Sequence, residues 1–259
     1  MKRLMLALLL GTAAFRAEAV DYTDIWFNPA QAGYGYNLVQ SDGFLFVTFF
    51  IYGPSGAPTW YTGELNWNNV DAFAGDVYLN TGTFFGAPWI PANLVSTKVG
   101  TATFRPIAAN NYQGTLAYTV TGVGSATHVL QRQTLTAIAT AGSYAGTQFG
   151  EYSGCATPAG NFAYRDTYDL TVADGAAGSI NYHFAYDSGL TCDLAGKYAP
   201  HGQYYTVSGA TYTCDDGTSA TADMVEIKRT ALGIEGRYTA TGLPDGCAER
   251  ATFAGPKAP

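Results

Sequence analysis

Charge is the scarce ingredient of this sequence. Only 13% of its residues are Asp, Glu, Lys or Arg, roughly half the share found in an average soluble domain, which is about 25%. The 13 Lys and Arg are nowhere clustered and the net charge is −7. Recognition of nucleic acid or of an anionic membrane surface needs clustered cations to neutralise phosphate, so neither is expected as a partner. The three histidines, His128, His183 and His201, stand apart from one another. There is no Cys-x-x-Cys and no His-Glu-x-x-His, hence no spacing that would hold a metal. A Gly-x-Ser-x-Gly nucleophile turn is also lacking, and no cofactor motif is present. Cysteine is missing from the first half altogether. No segment carries a sustained helical period.

One apolar run is a candidate for a targeting or anchoring segment, and it lies at the N-terminus. MKRLMLALLLGTAAFRAEAV places Lys2 and Arg3 before the apolar stretch Leu4–Leu10 and ends in Ala17-Glu18-Ala19. That is the layout of a secretory signal peptide over residues 1–19, with a small-x-small cleavage site. A membrane anchor needs about 20 apolar residues, and Arg16 interrupts this run too soon. The mature chain is therefore expected to be secreted or periplasmic, with no membrane span. An even number of cysteines, Cys155, Cys192, Cys214 and Cys247, then implies two disulfides. Cys192 and Cys214 flank a hairpin that turns near Pro200-His201-Gly202, which favours pairing them. Cys155 and Cys247 sit in the first and last stretches of the second half, which barrel closure would bring together. A turn centred on His201 makes opposed positions sum to 402 rather than 406, so the first pairing requires a bulge or a displaced turn, and the other two pairings stay open.

Aromatics and glycine are abundant. Runs rich in Tyr, Thr, Val and Phe, such as YGYNLVQ, FLFVTFFIY, GDVYLNTGTFF, YQGTLAYTVTG, GSINYHFAYD and IEGRYTATG, alternate with turns such as SDG, PSGAP, ADGAAG, DDG and LPDG. This is the signature of an all-β fold built from short antiparallel strands. Tyr118-Thr-Val-Thr-Gly122 recurs 120 positions later as Tyr238-Thr-Ala-Thr-Gly242, each followed by a strand with one arginine, Arg132 and Arg250. Residues 20–138 and 139–259 are accordingly read as two consecutive antiparallel meander units, small barrels or sandwiches, with the cysteines confined to the second.

The first unit holds the most unusual stretch. FLFVTFFIY, Phe44–Tyr52, does not alternate apolar with polar, so both of its faces should be covered, or one should meet a protein partner. The DIWFNP lead-in and the second unit are the nearest candidate lids; an outer-membrane barrel, with lipid as the cover, is the less favoured alternative. Trp26, Asn28, Tyr34, Tyr36, Asn37, Trp60 and Tyr61 join flat rings to amide side chains. Such a set suits a glycan, whose C–H faces stack on rings, or a small amphipathic molecule at a barrel mouth. A non-catalytic exported binding protein is the leading expectation. The rival is an envelope or polysaccharide hydrolase using Glu64 or the Asp21/Asp24 pair, and a structural or interaction module is the third possibility. His201 is expected in a solvated turn and His128 on an exposed strand face.

DIWFNP, GYGYNL and then GAPTWY resemble a set of uncharacterised secreted bacterial proteins. Their modules open with Asp-x-Trp-Trp-Asn-Pro and Gly-Trp-Gly-x-Asn, ahead of a hairpin ending in Gly-x-Pro-x-Trp. Trp26, Asn28, Pro29, Gly33, Gly35, Asn37, Pro58 and Trp60 fall on that pattern, while Phe27 and Tyr34 stand where tryptophans are usual. The resemblance covers about residues 21 to 67 and implies an exported module with no assigned activity.

Overall fold

The structure is a computed structural model that describes residues 20–107, 110–136 and 139–258, with only the backbone of Asn110. The segment read as a signal peptide lies outside the described residues. Sixteen strands follow one another in two closed barrels. The first comprises β1 (Asp24–Phe27), β2 (Gly35–Ser41), β3 (Phe44–Tyr52), β4 (Pro58–Trp67), β5 (Phe73–Thr81), β6 (Val95–Ile107), β7 (Asn110–Val120) and β8 (Gly124–Arg132). The second comprises β9 (Gly142–Ser153), β10 (Ala163–Asp174), β11 (Ser179–Tyr186), β12 (Thr191–His201), β13 (Tyr204–Cys214), β14 (Ser219–Arg229), β15 (Gly233–Thr241) and β16 (Ala248–Pro256). Each strand pairs antiparallel with its sequence neighbour, and β1 with β8 and β9 with β16 close the two circles. Closure leaves neither sheet with an open edge. Of the helices among the described residues, none is long and apolar enough to cross a membrane.

Strand β1 of the first barrel is the one the sequence conceals. DIWF reads as an extended lead-in before Pro29, yet Asp24–Phe27 pairs with both β2 and β8 and completes the ring. In the other direction, GDVYLNTGTFF stops being a strand at Thr81, and Gly82–Leu94 forms a loop. The echo between the two halves has a counterpart in topology. Tyr118 and Tyr238 each lie on the seventh strand of their barrel, and Gly122 and Gly242 follow with φ of +78° and +81°.

Both cores are filled by one parity of each strand. Leu45, Val47 and Phe49 of β3 point inward with Trp26, Tyr36, Leu38, Leu65, Phe104 and Leu130. The other parity of β3 is not roofed as expected. Phe50 and Tyr52 are each 57% exposed, because Trp26 turns into the barrel instead of over its wall and the second barrel docks elsewhere. Glycine is demanded at Gly100, where a Cβ would run into the Thr119 carbonyl across the strand pair. The register of β5 against β6 shifts beside it.

The disulfides join Cys155 to Cys247 and Cys192 to Cys214. The arithmetic of the shorter loop resolves in two steps. The β12–β13 turn is displaced to Gly202-Gln203, so His201 pairs with Tyr204; a one-residue shift between Ala195 and Tyr198 then carries the ladder to Cys192 opposite Cys214. Cys155 and Cys247 stand just past the paired ends Ser153 and Ala248, so their bond clamps the closure of the second barrel.

The barrels meet at a polar seam around Arg132, the last residue of β8, which is 4% exposed. Its guanidinium donates to the Asp24 carboxylate at 3.2 Å, to the Thr23 and Asp21 carbonyls at 3.2 and 2.6 Å, and to the Asn111 carbonyl at 3.3 Å. It also lies over the rings of Trp26 and Tyr204. From the second barrel, the Gln203 backbone N–H donates to Asp24 at 3.1 Å, and the Gln203 amide donates to the Thr23 carbonyl at 2.6 Å. Gly202, at φ +66°, leaves no room for a Cβ against that carboxylate. Tyr112 stacks on His201 at 4.3 Å, and Asn111 donates to Glu226 at 2.6 Å. His201 is thus an interface residue and not a solvated turn residue.

Candidate functional site

Each barrel uses one end in the seam and keeps the other free. Strand directions place the loops 28–34, 53–57, 82–94 and 121–123 at the free end of the first barrel. The inward side chains nearest that end form an aromatic storey. Tyr34 meets Tyr36 edge to face at 6.3 Å between centroids, Tyr36 meets Phe49 at 5.3 Å, and Phe49 meets Tyr118 at 6.1 Å. His128 completes the set, 5.8 Å from Tyr34 and 5.7 Å from Tyr118. Tyr61, in register with Phe49 across β3 and β4, is half-buried against the same cluster.

The hydrogen bonds fix the polarity of this storey. Gln31 Oε1 accepts from the Asn28 amide at 3.2 Å and from the Tyr34 hydroxyl. With its one proton committed there, Tyr34 can only accept from His128 Nδ1, 3.1 Å away. The imidazole is then the Nδ1–H tautomer and its Nε2 is a lone-pair acceptor. Burial holds the His128 pKa below its ordinary value, and burial pushes the Tyr34 hydroxyl up, with Tyr118 adding to it. At neutral pH the mouth therefore presents uncharged rings, hydroxyls and one imidazole acceptor. His128 was expected on an exposed face; it faces inward because it shares strand parity with Leu130 and Arg132.

Around this storey the surface is apolar and wet. Phe84 is 70% exposed, Phe85 96% and Trp89 61%, with Ile90 and Leu94 also exposed. No charged residue occurs between Asp76 and Lys98. Phe50, Tyr52 and Trp60 stand on the outer wall of β3 and β4 at the same end, with Phe50 in register with Trp60.

The seven residues singled out from the sequence divide by strand parity. Tyr34 and Tyr61 lie half-buried at the mouth, and Tyr36, 1% exposed, packs beneath them in the core. Trp60 is exposed on the outer wall, and Asn37 points outward opposite Thr48. Asn28 is half-buried and caps its own turn, accepting from the Ala30 N–H at 3.0 Å while its carbonyl accepts from the Gln31 N–H at 3.0 Å. Trp26 is wholly buried. Its indole donates to the Tyr22 carbonyl at 3.0 Å, and its ring meets Phe104 edge-on and the Arg132 guanidinium, toward the seam and away from the mouth. Sequence reasoning missed Tyr118, His128 and the loop aromatics Phe84, Phe85 and Trp89. The signal for the loop was TFFGAPWIP, where large apolar residues are broken by Gly and two Pro and so cannot continue a ladder.

The carboxylates considered for hydrolysis are elsewhere. Glu64 is exposed on the outer wall opposite Asp76, which is paired with Lys98 at 2.7 Å. Both Asp24 oxygens are engaged, one by the Ile25 N–H and the other by Arg132 and Gln203. Asp21 accepts the Thr23 N–H at 2.8 Å. Among the described residues no group of three or more His, Cys, Asp or Glu is arranged to hold a metal ion.

No protein-family description matches this chain, and no curated protein does. Two solved structures show remote likeness. One is a candidate outer membrane protein from Bacteroides fragilis, 14% identical, with 90% of this chain and 94% of that one aligned at a TM-score of 0.33. The other is the Trp-176-Ala mutant of the vaccine antigen transferrin-binding protein B from Haemophilus parasuis, 10% identical at a TM-score of 0.32. That alignment takes in 87% of this chain and 61% of the other. Superpositions at this level carry no argument about fold or activity.

Proposed function

We propose that this is an exported, non-catalytic binding protein whose first barrel takes a glycan or a small amphipathic molecule at its free mouth. Two disulfides mark an extracytoplasmic chain. The observation that carries the reading is the free end itself: an uncharged loop exposing Phe84, Phe85 and Trp89 beside an inward storey of tyrosines and a neutral histidine. Large exposed apolar groups on a soluble domain are costly to keep and mark interaction sites. Rings supply stacking area, while the Tyr hydroxyls and His128 Nε2 supply orientation. The Phe50/Tyr52/Trp60 wall extends the same surface and is where a protein partner of strand β3 would dock.

The test is binding of the mature chain to a glycan array and to detergent or lipid micelles, run beside a sugar-release assay. Trp89→Ala and Tyr34→Phe should each weaken binding by about tenfold, the loss of one good ring contact or hydrogen bond, with melting unchanged for the exposed Trp89. Glu64→Gln should leave binding intact. Sugar release by the native chain that disappears in Glu64→Gln would replace this reading with the hydrolase.

A further inference from the structure

The second barrel has its own free end, and it is built differently. Loops 154–162, 187–190, 215–218 and 242–247 surround a cavity of about 310 Å³ lined by Tyr152, Phe162, Leu190, Tyr212 and the disulfide residues Cys214 and Cys247. Both disulfides therefore hold its rim. Below lies Glu249, 1% exposed. Its Oε1 accepts from the Tyr164 hydroxyl and from the Tyr238 hydroxyl at 2.7 Å; Gln148 donates to both of those hydroxyls and accepts from Tyr186 at 3.0 Å. Its Oε2 is buried without a well-aligned hydrogen bond, the Tyr212 hydroxyl being turned toward the carboxyl from the cavity wall. Tyr152 and Tyr212 belong to both places, walling the cavity and lying near enough to Glu249 for its charge to raise their pKa values, burial being the larger cause.

A buried carboxylate oxygen without a well-aligned partner is costly, and here it sits within a cage of tyrosine rings. The groups facing the carboxyl are neutral, Gln148 and Tyr152 of β9, Tyr164 of β10, Tyr186 of β11, Tyr212 of β13 and Tyr238 of β15, while Asp216 is a second carboxylate on the exposed rim of the cavity. The missing element is a cation. We propose that the free end of the second barrel is a separate binding site for a small organic amine on an apolar or aromatic body, its ammonium group meeting Glu249 Oε2 between the Tyr152 and Tyr212 rings. The ring faces attract an ammonium through their quadrupoles, the carboxylate gives it a charge-assisted hydrogen bond, and Leu190 and Phe162 receive the apolar body. A neutral hydroxyl ligand would satisfy Oε2 with one hydrogen bond but would gain little from the cage. Burial raises the Glu249 pKa above its ordinary value. An ammonium needs the ionised carboxylate, so amine affinity rises as pH climbs through that raised value.

The experiment is calorimetric titration of the mature chain at pH 7.5 with phenethylamine and with 2-phenylethanol, its neutral counterpart. The amine should bind at least tenfold more tightly than the alcohol. Glu249→Gln should lower amine affinity at least tenfold and leave the alcohol unchanged. Should that variant not fold, Thr218→Lys places a repelling charge on the cavity lining without removing either apolar contact and should lower amine affinity alone. Failure of the amine to bind, equal binding of amine and alcohol, or amine affinity unchanged in the folded variant would overturn the proposal. It is independent of the first-barrel reading, which none of these titrations probes.

Discussion

At the scale of single residues, one parity decision separates core from site. Trp26 and Tyr34 sit in the same aromatic-rich stretch, yet Trp26 is wholly buried and Tyr34 stands at the brim. Truncating a buried large side chain costs about 3–5 kcal/mol in lost transfer and cavity formation. Trp26→Ala should therefore lower stability by about that much in urea unfolding, and leave the surviving folded fraction able to bind at the mouth. Loss of binding with stability unchanged would reverse the assignment of Trp26. This division was not legible in the sequence, because FLFVTFFIY and its neighbours are apolar at both parities and a period of two leaves no phase to read. His128 was hidden for a related reason: in GSATHVLQR the outward set contains Val129 and the inward set contains His128 and Arg132, so polarity points the wrong way. Asn28, by contrast, needs no ligand to explain it, since it closes its own turn.

Among the elements, all eight strands of the second barrel were legible, because each is bounded by Gly, Pro or Asp turns and keeps one clear apolar parity. Two errors in the first barrel share one cause. DIWF is too short to show alternation, and GTFF has strand composition without strand partners; pairing across the barrel, which composition does not encode, decides both. The disulfide pairing followed from the same turn logic once the turn moved to Gly202-Gln203 and the ladder slipped by one residue. Loop-closure entropy assigns about 3.4 kcal/mol to the Cys192–Cys214 bond and about 4.6 kcal/mol to Cys155–Cys247, which span 22 and 92 positions. Replacing Cys155 and Cys247 by serine should depress the melting temperature more than replacing Cys192 and Cys214. The reverse order would mean that clamping the β9–β16 closure contributes less than bracing a hairpin.

For the whole molecule, the seam sets how the halves respond to acid. Burial, with the Arg132 charge nearby, holds the His201 pKa below its ordinary value, which is about 6.5. The unfolded chain then binds the proton more readily than the folded one, so stability is complete above about pH 6.5 and declines as pH falls toward the lower folded value. His201→Phe keeps the stack on Tyr112 and removes the proton site. Melting curves between pH 7.5 and 5 should fall less steeply for that variant, and parallel curves would show that the seam does not sense acid through His201. His128 shifts in the same direction but is present in both proteins and cancels in the comparison. The seam also gives strand β1 a significance beyond its four residues. It closes the first barrel through only two register pairs with β8, Trp26 with Arg132 and Phe27 with Gln131. The same strand carries the tryptophan that fills the core and, in Asp24, the carboxylate that grips Gln203. Fraying of so short a strand would ordinarily be a private event, a fluctuation of low free energy confined to one segment. Here it would unplug one barrel and loosen its hold on the other together, so exchange of the β1 amides should slow or quicken with any change that tightens or weakens the seam.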